Sequence, residues 1–175
     1  FDTSMGFSPL DGLVMGTRCG SVDASAVTYI GEKEGMTYAE LNEMMNKRSG
    51  VLGLTGLSSD MRDIDRAYDE GNPEAILARD MHYRRIKKFV GEYAAEMGGV
   101  DLIVFTGGVG ENSSEMRESV CEGLEFMGVH FDKAANQGAR GVNKMLSTPD
   151  SKVKVAMIAT NEELVIATDT YNLVK

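Results

Sequence analysis

A short apolar run, a small-residue turn and a helix-like segment follow one another twice in the second half of this chain. That repetition limits the fold more than any other feature. Leu102–Phe105 reads LIVF, a β-rich run with no polar member, the pattern of a buried strand in a parallel sheet. Gly107, Gly108 and Gly110 make the turn, and Asn112 or Ser113 then caps a helix carrying Met116, Val120, Leu124 and Met127. The second copy runs as a strand over Val153–Ile158, a turn at Ala159-Thr160-Asn161, and a helix from Glu162 to about Tyr171. Strand, turn and helix in alternation predict an α/β domain with a largely parallel central sheet flanked by helices. The polar, Gly-containing stretch Asp132–Asp150 between the copies is expected to be a surface excursion.

The first half is less regular. Residues 1–30 are rich in Gly, Ser, Thr and Asp without a sustained period and read as loops around short turns. Thr37-x-x-Glu40 has the form of a capping box, and Leu41, Met44 and Met45 follow at helical spacing, so a helix is placed at about 37–47. Ser49–Ser59 (SGVLGLTGLSS) has glycines that point to a tight turn with close backbone approach. Asn72-Pro73 starts the longest helix, because proline suits the first helical position. Its apolar face is read as Ile76, Leu77, Met81, Ile86, Phe89, Val90, Tyr93 and Met97, ending at Gly98-Gly99. Arg79, Arg84, Arg85, Lys87, Lys88 and Glu92 cover its other sides as a solvated face.

Composition excludes some partners. The chain has 175 residues and a formal net charge of -9, which repels nucleic acid and anionic membranes at long range but leaves room for one phosphorylated small molecule held by local donors. There is no apolar run of ~18 residues and no signal peptide, so a cytoplasmic location is expected. Cys19 and Cys121 have no CxxC or His/Cys cluster around them, which points to reduced thiols and not to zinc. Because the first residue is Phe1 and not Met, the chain is expected to be a fragment, a processed product or an incompletely described protein.

Several segments have chemical content. Thr106–Ser113 (TGGVGENS) lies at the carboxyl end of a strand, where open α/β sheets bind ligands, and helix N-termini there favour anions. It is neither a Walker A loop, since no Gly-Lys-Ser/Thr occurs, nor GxGxxG, which disfavours a dinucleotide-dependent oxidoreductase. By spacing it is a ligand loop or a structural βα turn. Glu162 and Glu163 open the second helix. There they either stabilise its dipole or turn one carboxylate toward magnesium. Arg18, in Met15-Gly16-Thr17-Arg18-Cys19-Gly20, offers a planar fork to phosphate oxygens or forms a surface ion pair. Asp60-Met61-Arg62-Asp63 is an acid pair with an arginine at a helix start. His82 and His130 have no partner motif and read as surface or core filler.

Taken together and in order, Phe1–Gly20 (FDTSMGFSPLDGLVMGTRCG), Ser58–Asp63 (SSDMRD), Phe105–Ser113 (FTGGVGENS), Ser147–Asp150 (STPD) and Thr160–Leu164 (TNEEL) resemble the acetate kinases of the acetokinase family. The resemblance covers essentially the whole chain. It implies an actin-like, sugar-kinase and Hsp70 ATPase-type α/β fold, with residues 1–175 as the C-terminal nucleotide-binding domain of a two-domain kinase whose N-terminal domain lies outside the chain. It further implies reversible, magnesium-dependent phosphoryl transfer between ATP and acetate, giving acetyl phosphate and ADP, in a homodimer. Arg18 matches the arginine that stabilises the phosphoryl group in flight. Asp60, Met61 and Arg62 match a segment lining the adenosine pocket. Gly108, Val109, Gly110, Glu111 and Asn112 match the nucleotide-binding loop, and Glu162 matches the acid associated with Mg2+.

Two departures are visible: Gly107 where the pattern has Ala, and Ala159 where it has Pro. Propionate and butyrate kinases, a pyrophosphate donor, and a noncatalytic nucleotide-binding or dimerisation module are the alternatives. In-line transfer needs both substrates in one closed cleft, so the 175 residues alone are not expected to turn over.

Overall fold

The computed structural model describes residues 1 to 175. The chain divides into two compact units, Phe1–Tyr93 and Ala94–Lys175.

The first unit is helical. Helix α1 (Ala24–Glu34) occupies part of the stretch expected to be loops. Its Val, Thr, Tyr and Ile residues have middling helix propensity, and the start signal is Asp23, whose carboxylate accepts from Ser25 N at 2.7 Å. Helix α2 (Tyr38–Lys47) follows the expected capping box, with Thr37 N donating to Glu40 Oε2 at 2.7 Å and Glu40 N to Thr37 Oγ1 at 3.3 Å. The two helices touch where Gly31 meets Leu41: a Cβ on Gly31 would lie 2.7 Å from Leu41 Cδ1.

The Gly-rich segment is a short helix, α3 (Gly50–Thr55), and not a turn. The close backbone approach is nevertheless there. Gly50 has φ 63°, and a Cβ on it would fall 2.2 Å from Met15 O. Helices α4 (Met61–Asp69) and α5 (Pro73–Glu96) complete the unit. The core is Val51, Ile64, Ala75 and Ala78, with Leu54, Met61 and Ala67 against it.

The inward face of α5 differs from the one expected. Ala75, Ala78, His82 and Tyr83 are its buried residues, while Ile76, Leu77 and Met81 are exposed. Small side chains bring α5 close to α3 and α4, and the larger aliphatics one position away are turned outward. Farther along the helix the expected Ile86, Phe89, Val90 and Tyr93 are half-buried, so the face differs over the first turns, where size complementarity and not hydrophobicity alone selects it.

The second unit is built on a three-stranded sheet of order β1-β3-β2. Strands β1 (Leu102–Phe105) and β3 (Lys154–Met157) pair in parallel, Ile103 opposite Val155 and Phe105 opposite Met157. The two-residue β2 (Lys144–Met145) adds an antiparallel edge to β3. Strand β3 is buried through Val155, Ala156 and Met157, whereas β1 buries only Ile103 and Phe105 and leaves Leu102 and Val104 44% and 42% exposed.

Between the parallel strands run α6 (Gly107–Asn112), α7 (Ser114–Cys121), a 3-10 turn at Glu125–Met127 and α8 (Lys133–Asn136). The polar stretch Asp132–Asp150 is more than surface: Asn136, Ala139 and Leu146 within it are buried. Helix α9 (Glu162–Val174) closes the chain with every residue exposed. No helix is long and apolar enough to cross a membrane.

The choice of α5 face is testable. Ile64→Ala, at the fully buried α4 position that clusters with Ala75 and Ala78 of α5, is expected to lower unfolding free energy by ~2–5 kcal/mol. Leu77→Ala, at a site 52% exposed, is expected to stay within about 0.5 kcal/mol of the parent. Urea unfolding of the 175-residue chain measures both, and a large loss for Leu77→Ala would show that the sequence-based face is the true one.

Candidate functional site

In the second unit, the carboxyl ends of β1 and β3 lead into two turns that are tied together. Thr106 ends β1 and precedes α6, and its Oγ1 lies 2.9 Å from Thr160 Oγ1. Gly107 takes φ 71°, a conformation that L side chains rarely adopt. Glycine instead of alanine at this position is therefore suited to the turn as built.

Residues expected to form an open loop are one and a half turns of helix. Asn112 Nδ2 bonds back to Gly108 O at 2.8 Å, and Ser113, of the two candidates, caps α7 by accepting from Met116 N at 3.1 Å. Gly110 is buried against β1, where a Cβ would come within 3.2 Å of Phe105 C. Gly108 and Val109 are exposed, and a Cβ on Gly108 would meet nothing within 4 Å.

Glu111 makes the tie. Its Oε1 accepts from Gly107 N at 2.9 Å, from Thr160 N at 2.8 Å and from Thr160 Oγ1 at 2.6 Å. These bonds, those from Thr160 foremost, hold its carboxyl below the usual glutamate range. Beyond Thr160, Asn161 Oδ1 caps α9 through Leu164 N at 3.0 Å, and Glu162 and Glu163 fill the exposed first turn. Ala159, where the family pattern has proline, uses the N–H that proline would lack: it donates to Asn143 Oδ1 at 2.9 Å.

Sequence reasoning missed Arg117. It is fully buried, and its Nε, Nη1 and Nη2 donate to Asn136 Oδ1 at 2.8 Å, Gly110 O at 2.7 Å and Ala139 O at 2.8 Å. Asn136 in turn donates to Ser114 O at 2.8 Å. Burial pushes the guanidinium pKa down, yet the fork fixes the Gly-rich helix to the segment around Ala139. The signal was present: a charged residue next to Met116 and one turn before Val120, on the apolar stripe of α7.

The first unit holds the other candidates. The segment carrying Arg18 is pinned along its backbone. Cys19 N donates to Met45 O, Ser49 N to Thr17 O, Val51 N to Met15 O and Leu52 N to Gly16 O, all between 2.8 and 3.1 Å. Thr17 Oγ1 adds a bond to Asn46 O at 2.9 Å. Glycine at position 16 is required by packing, because a Cβ there would lie 2.6 Å from Ser59 O. Gly16 therefore brings the Arg18 segment against the residue that precedes Asp60.

Of the two readings of Arg18, the ion pair is not formed. The unit's arginine–carboxylate pairs belong to Arg48, Arg62, Arg66, Arg79 and Arg84. The guanidinium of Arg18 touches Met15 Sδ at 3.7 Å. Asp60 caps α4 by accepting from Arg62 N at 2.9 Å and also accepts from Arg62 Nε at 3.0 Å. Those bonds hold its pKa down to about 2. Met61 packs on the Val51–Ile64 core. A cleft of about 310 Å³ opens beside Cys19, lined among others by Phe7, Asp11, Ser21 and Met45. Burial raises the Cys19 pKa, and both cysteines remain thiols.

The candidates thus form two groups: Arg18 with Asp60, Met61 and Arg62 in the first unit, and Gly108–Asn112 with Glu162 in the second. Comparison with known proteins explains why these blocks share a chain. A sequence profile of the Acetokinase family matches residues 1–168. The chain belongs to the acetokinase family. It is 56% identical to the acetate kinase of Bacteroides thetaiotaomicron over 174 residues, which is 99% of this chain and 44% of that protein.

Two solved family structures match the fold. The crystal structure of Porphyromonas gingivalis acetate kinase is similar with a TM-score of 0.94 at 52% identity, over 98% of this chain and 43% of that one. A propionate kinase from Francisella tularensis gives 0.87 at 40% identity, over 95% and 42%. The chain therefore spans less than half the length of these relatives, and it shares their actin-like α/β fold.

One buried titratable group in the first unit gives a pH prediction. His82 donates from Nδ1 to Val14 O at 2.7 Å, and burial pushes its pKa below the ordinary 6.5, against small upward contributions from that bond and from Asp65. The unfolded chain therefore takes up a proton that the folded unit excludes. Stability is expected to be full above pH ~6.5 and to fall as pH drops toward the lower folded value. Urea midpoints at pH ~7.5 and ~5.5 should differ more for the parent than for His82→Asn. Equal differences would remove His82 as the titrating group.

Proposed function

We propose that this chain is the C-terminal, nucleotide-handling portion of a two-domain carboxylate kinase. The complete protein transfers the terminal phosphoryl group of ATP reversibly to acetate. An acetate oxygen attacks the γ-phosphorus, the bond to the ADP oxygen breaks, and acetyl phosphate and ADP result. The observation that carries this reading is the pair of turns at the carboxyl ends of parallel β1 and β3, locked edge to edge by Glu111 with Gly108 open to approach. That is where an open α/β sheet receives a nucleotide. Identity of 56% to an acetate kinase supports acetate as the acceptor.

Each candidate takes a role from its surroundings. Gly108 and Val109 present the accessible backbone of α6 to the nucleotide. Gly110, Glu111 and Asn112 hold that backbone in place, by packing on β1, by the Thr160 bonds and by the bond to Gly108 O. Arg18, without a carboxylate partner, is available to charge spread over the equatorial oxygens of the phosphoryl group in flight. The family resemblance assigns Asp60, Met61 and Arg62 to the adenosine side.

The donor set fits magnesium held mainly by substrate. No group of three or more His, Cys, Asp or Glu residues forms a protein cage. Mg2+ in such sites keeps waters and phosphate oxygens and takes one or two carboxylates, and Glu162 at the exposed start of α9 supplies one. When bound, the ion neutralises charge on the β- and γ-phosphates.

A second reading, propionate as the acceptor, is favoured by the Francisella propionate kinase structure. The two acids differ by one methylene, worth ~1–3 kcal/mol in a pocket, and an assay across chain lengths separates them. Homodimerisation and a cytoplasmic location are part of the same family-based reading, and so is the expectation that the 175 residues alone do not turn over.

The nucleotide assignment is tested by calorimetry with ADP and magnesium. A Cβ at Gly108 meets no neighbour within 4 Å, so a side chain there projects into open space where a ligand would approach. Gly108→Val is expected to weaken ADP at least ~10-fold, a change of ~1.4 kcal/mol. Asn112→Ala, which frees Gly108 O, is expected to weaken it ~3-fold. Unchanged affinity in both variants would remove the loop from the nucleotide site.

A further inference from the structure

The segment Val14–Ser21 is held along its middle by the backbone of residues 45–52, but its two ends are held by side chains of one helix. His82 Nδ1 lies 2.7 Å from Val14 O. A carbonyl only accepts, so this bond fixes the tautomer with the proton on Nδ1. Arg85 Nη2 donates to Ser21 O at 3.1 Å. His82 and Arg85 are three residues apart on α5 and share a face. Arg18 lies between the two bonded carbonyls.

We propose that His82 and Arg85 are positioning residues for Arg18, a clamp by which α5 sets where the guanidinium stands. The proposal rests on the reading of Arg18 as the group that meets the transferring phosphoryl. Three observations support it. The helix is a fixed reference, since Ala75 and Ala78 on the same element are fully buried in the unit's core. His82 is only 8% exposed, so its orientation is set by packing as well as by the bond. Neither side chain contributes a carboxylate or caps a helix; each reaches a carbonyl of the Arg18 segment and so acts on that segment's path. Misplacing a catalytic group by ~1 Å can cost ~100-fold in rate, which is the scale on which such a clamp acts.

The test uses a chimera in which these 175 residues replace the matching stretch of the Porphyromonas gingivalis acetate kinase, which they cover at 52% identity. Acetyl phosphate formation is assayed for Arg18→Ala, Arg85→Met, His82→Phe and His82→Asn. Phenylalanine keeps the ring volume without the donor, while asparagine keeps an N–H near the Nδ1 position.

Arg85→Met and His82→Phe are expected to lower kcat ~10- to 100-fold with KM for ATP within about twofold, and His82→Asn to recover to within ~3-fold of the parent. Arg18→Ala is expected to lose at least ~100-fold. If Arg85→Met and His82→Phe stay within about twofold of the parent kcat while Arg18→Ala is inactive, the clamp is wrong and the Arg18 reading stands. If Arg18→Ala remains active, the Arg18 reading fails and the clamp with it. If kcat and KM worsen together in step with lost melting temperature, or asparagine gives no rescue, the two residues are structural only.

Amide hydrogen exchange in the 175-residue chain adds a test that needs no activity. Arg85→Met should speed exchange at Met15, Cys19 and Ser21, whose N–H groups bond to Arg18 O, Met45 O and Gly12 O. Unchanged exchange there overturns the proposal.

Discussion

One carboxylate oxygen organises the second unit. Parallel pairing of β1 with β3 places two strand ends side by side, but pairing alone leaves the turns beyond them to find their own paths. Glu111 Oε1 removes that freedom by accepting from both turns at once, through Gly107 N, Thr160 N and Thr160 Oγ1. Its own helix supplies the geometry: Glu111 sits four residues after Gly107, one turn on, so its side chain reaches back over the turn it came from. Arg117 works from beneath, holding Gly110 O from a fully buried position. The Gly-rich segment is thus fixed from both sides, with Gly108 left outward.

The first unit solves a related problem with absent side chains instead of present ones. Arg18 can sit on a segment pressed between α3 and the start of α4 because Gly50 and Gly16 lack the Cβ atoms that would strike Met15 O and Ser59 O. Close passage lets Val51 and Leu52 donate to Met15 and Gly16. The same contacts satisfy the half-buried backbone of the segment, while the guanidinium of Arg18 stands outside the unit's ion pairs.

Much of this was legible in the sequence. Helices α2, α4, α5 and α9 and strands β1 and β3 follow from caps, Pro73 and apolar runs, because those signals are local. The order of the blocks Phe1–Gly20, Ser58–Asp63, Phe105–Ser113, Ser147–Asp150 and Thr160–Leu164 also carries the family resemblance without any geometry. Other features depend on partners that sequence spacing does not reveal. Helix α1 has several residues of middling helical preference and is bounded by the Asp23 cap and Gly35, with Gly31 meeting Leu41. The inward face of α5 was set by alanine fitting against Val51 and Ile64 and not by its largest aliphatics. His82, read as filler, bonds to Val14 O, 68 residues away in sequence. Glu111, read as part of a ligand loop, commits its Oε1 to Gly107 and Thr160, a distinction that needs Thr160 in view.

If the two tied turns receive the nucleotide, ADP must perturb both of them. The most direct measurement is a titration of the isotope-labelled 175-residue chain with ADP and magnesium, followed by amide chemical shifts at ADP up to a few times ~1 mM. The largest shifts in the second unit are expected on Gly107–Asn112 and Thr160–Glu162, moving together because Glu111 couples them. Shifts centred instead on Asp132–Asn143, or none at these turns when binding is saturated, would contradict nucleotide binding there.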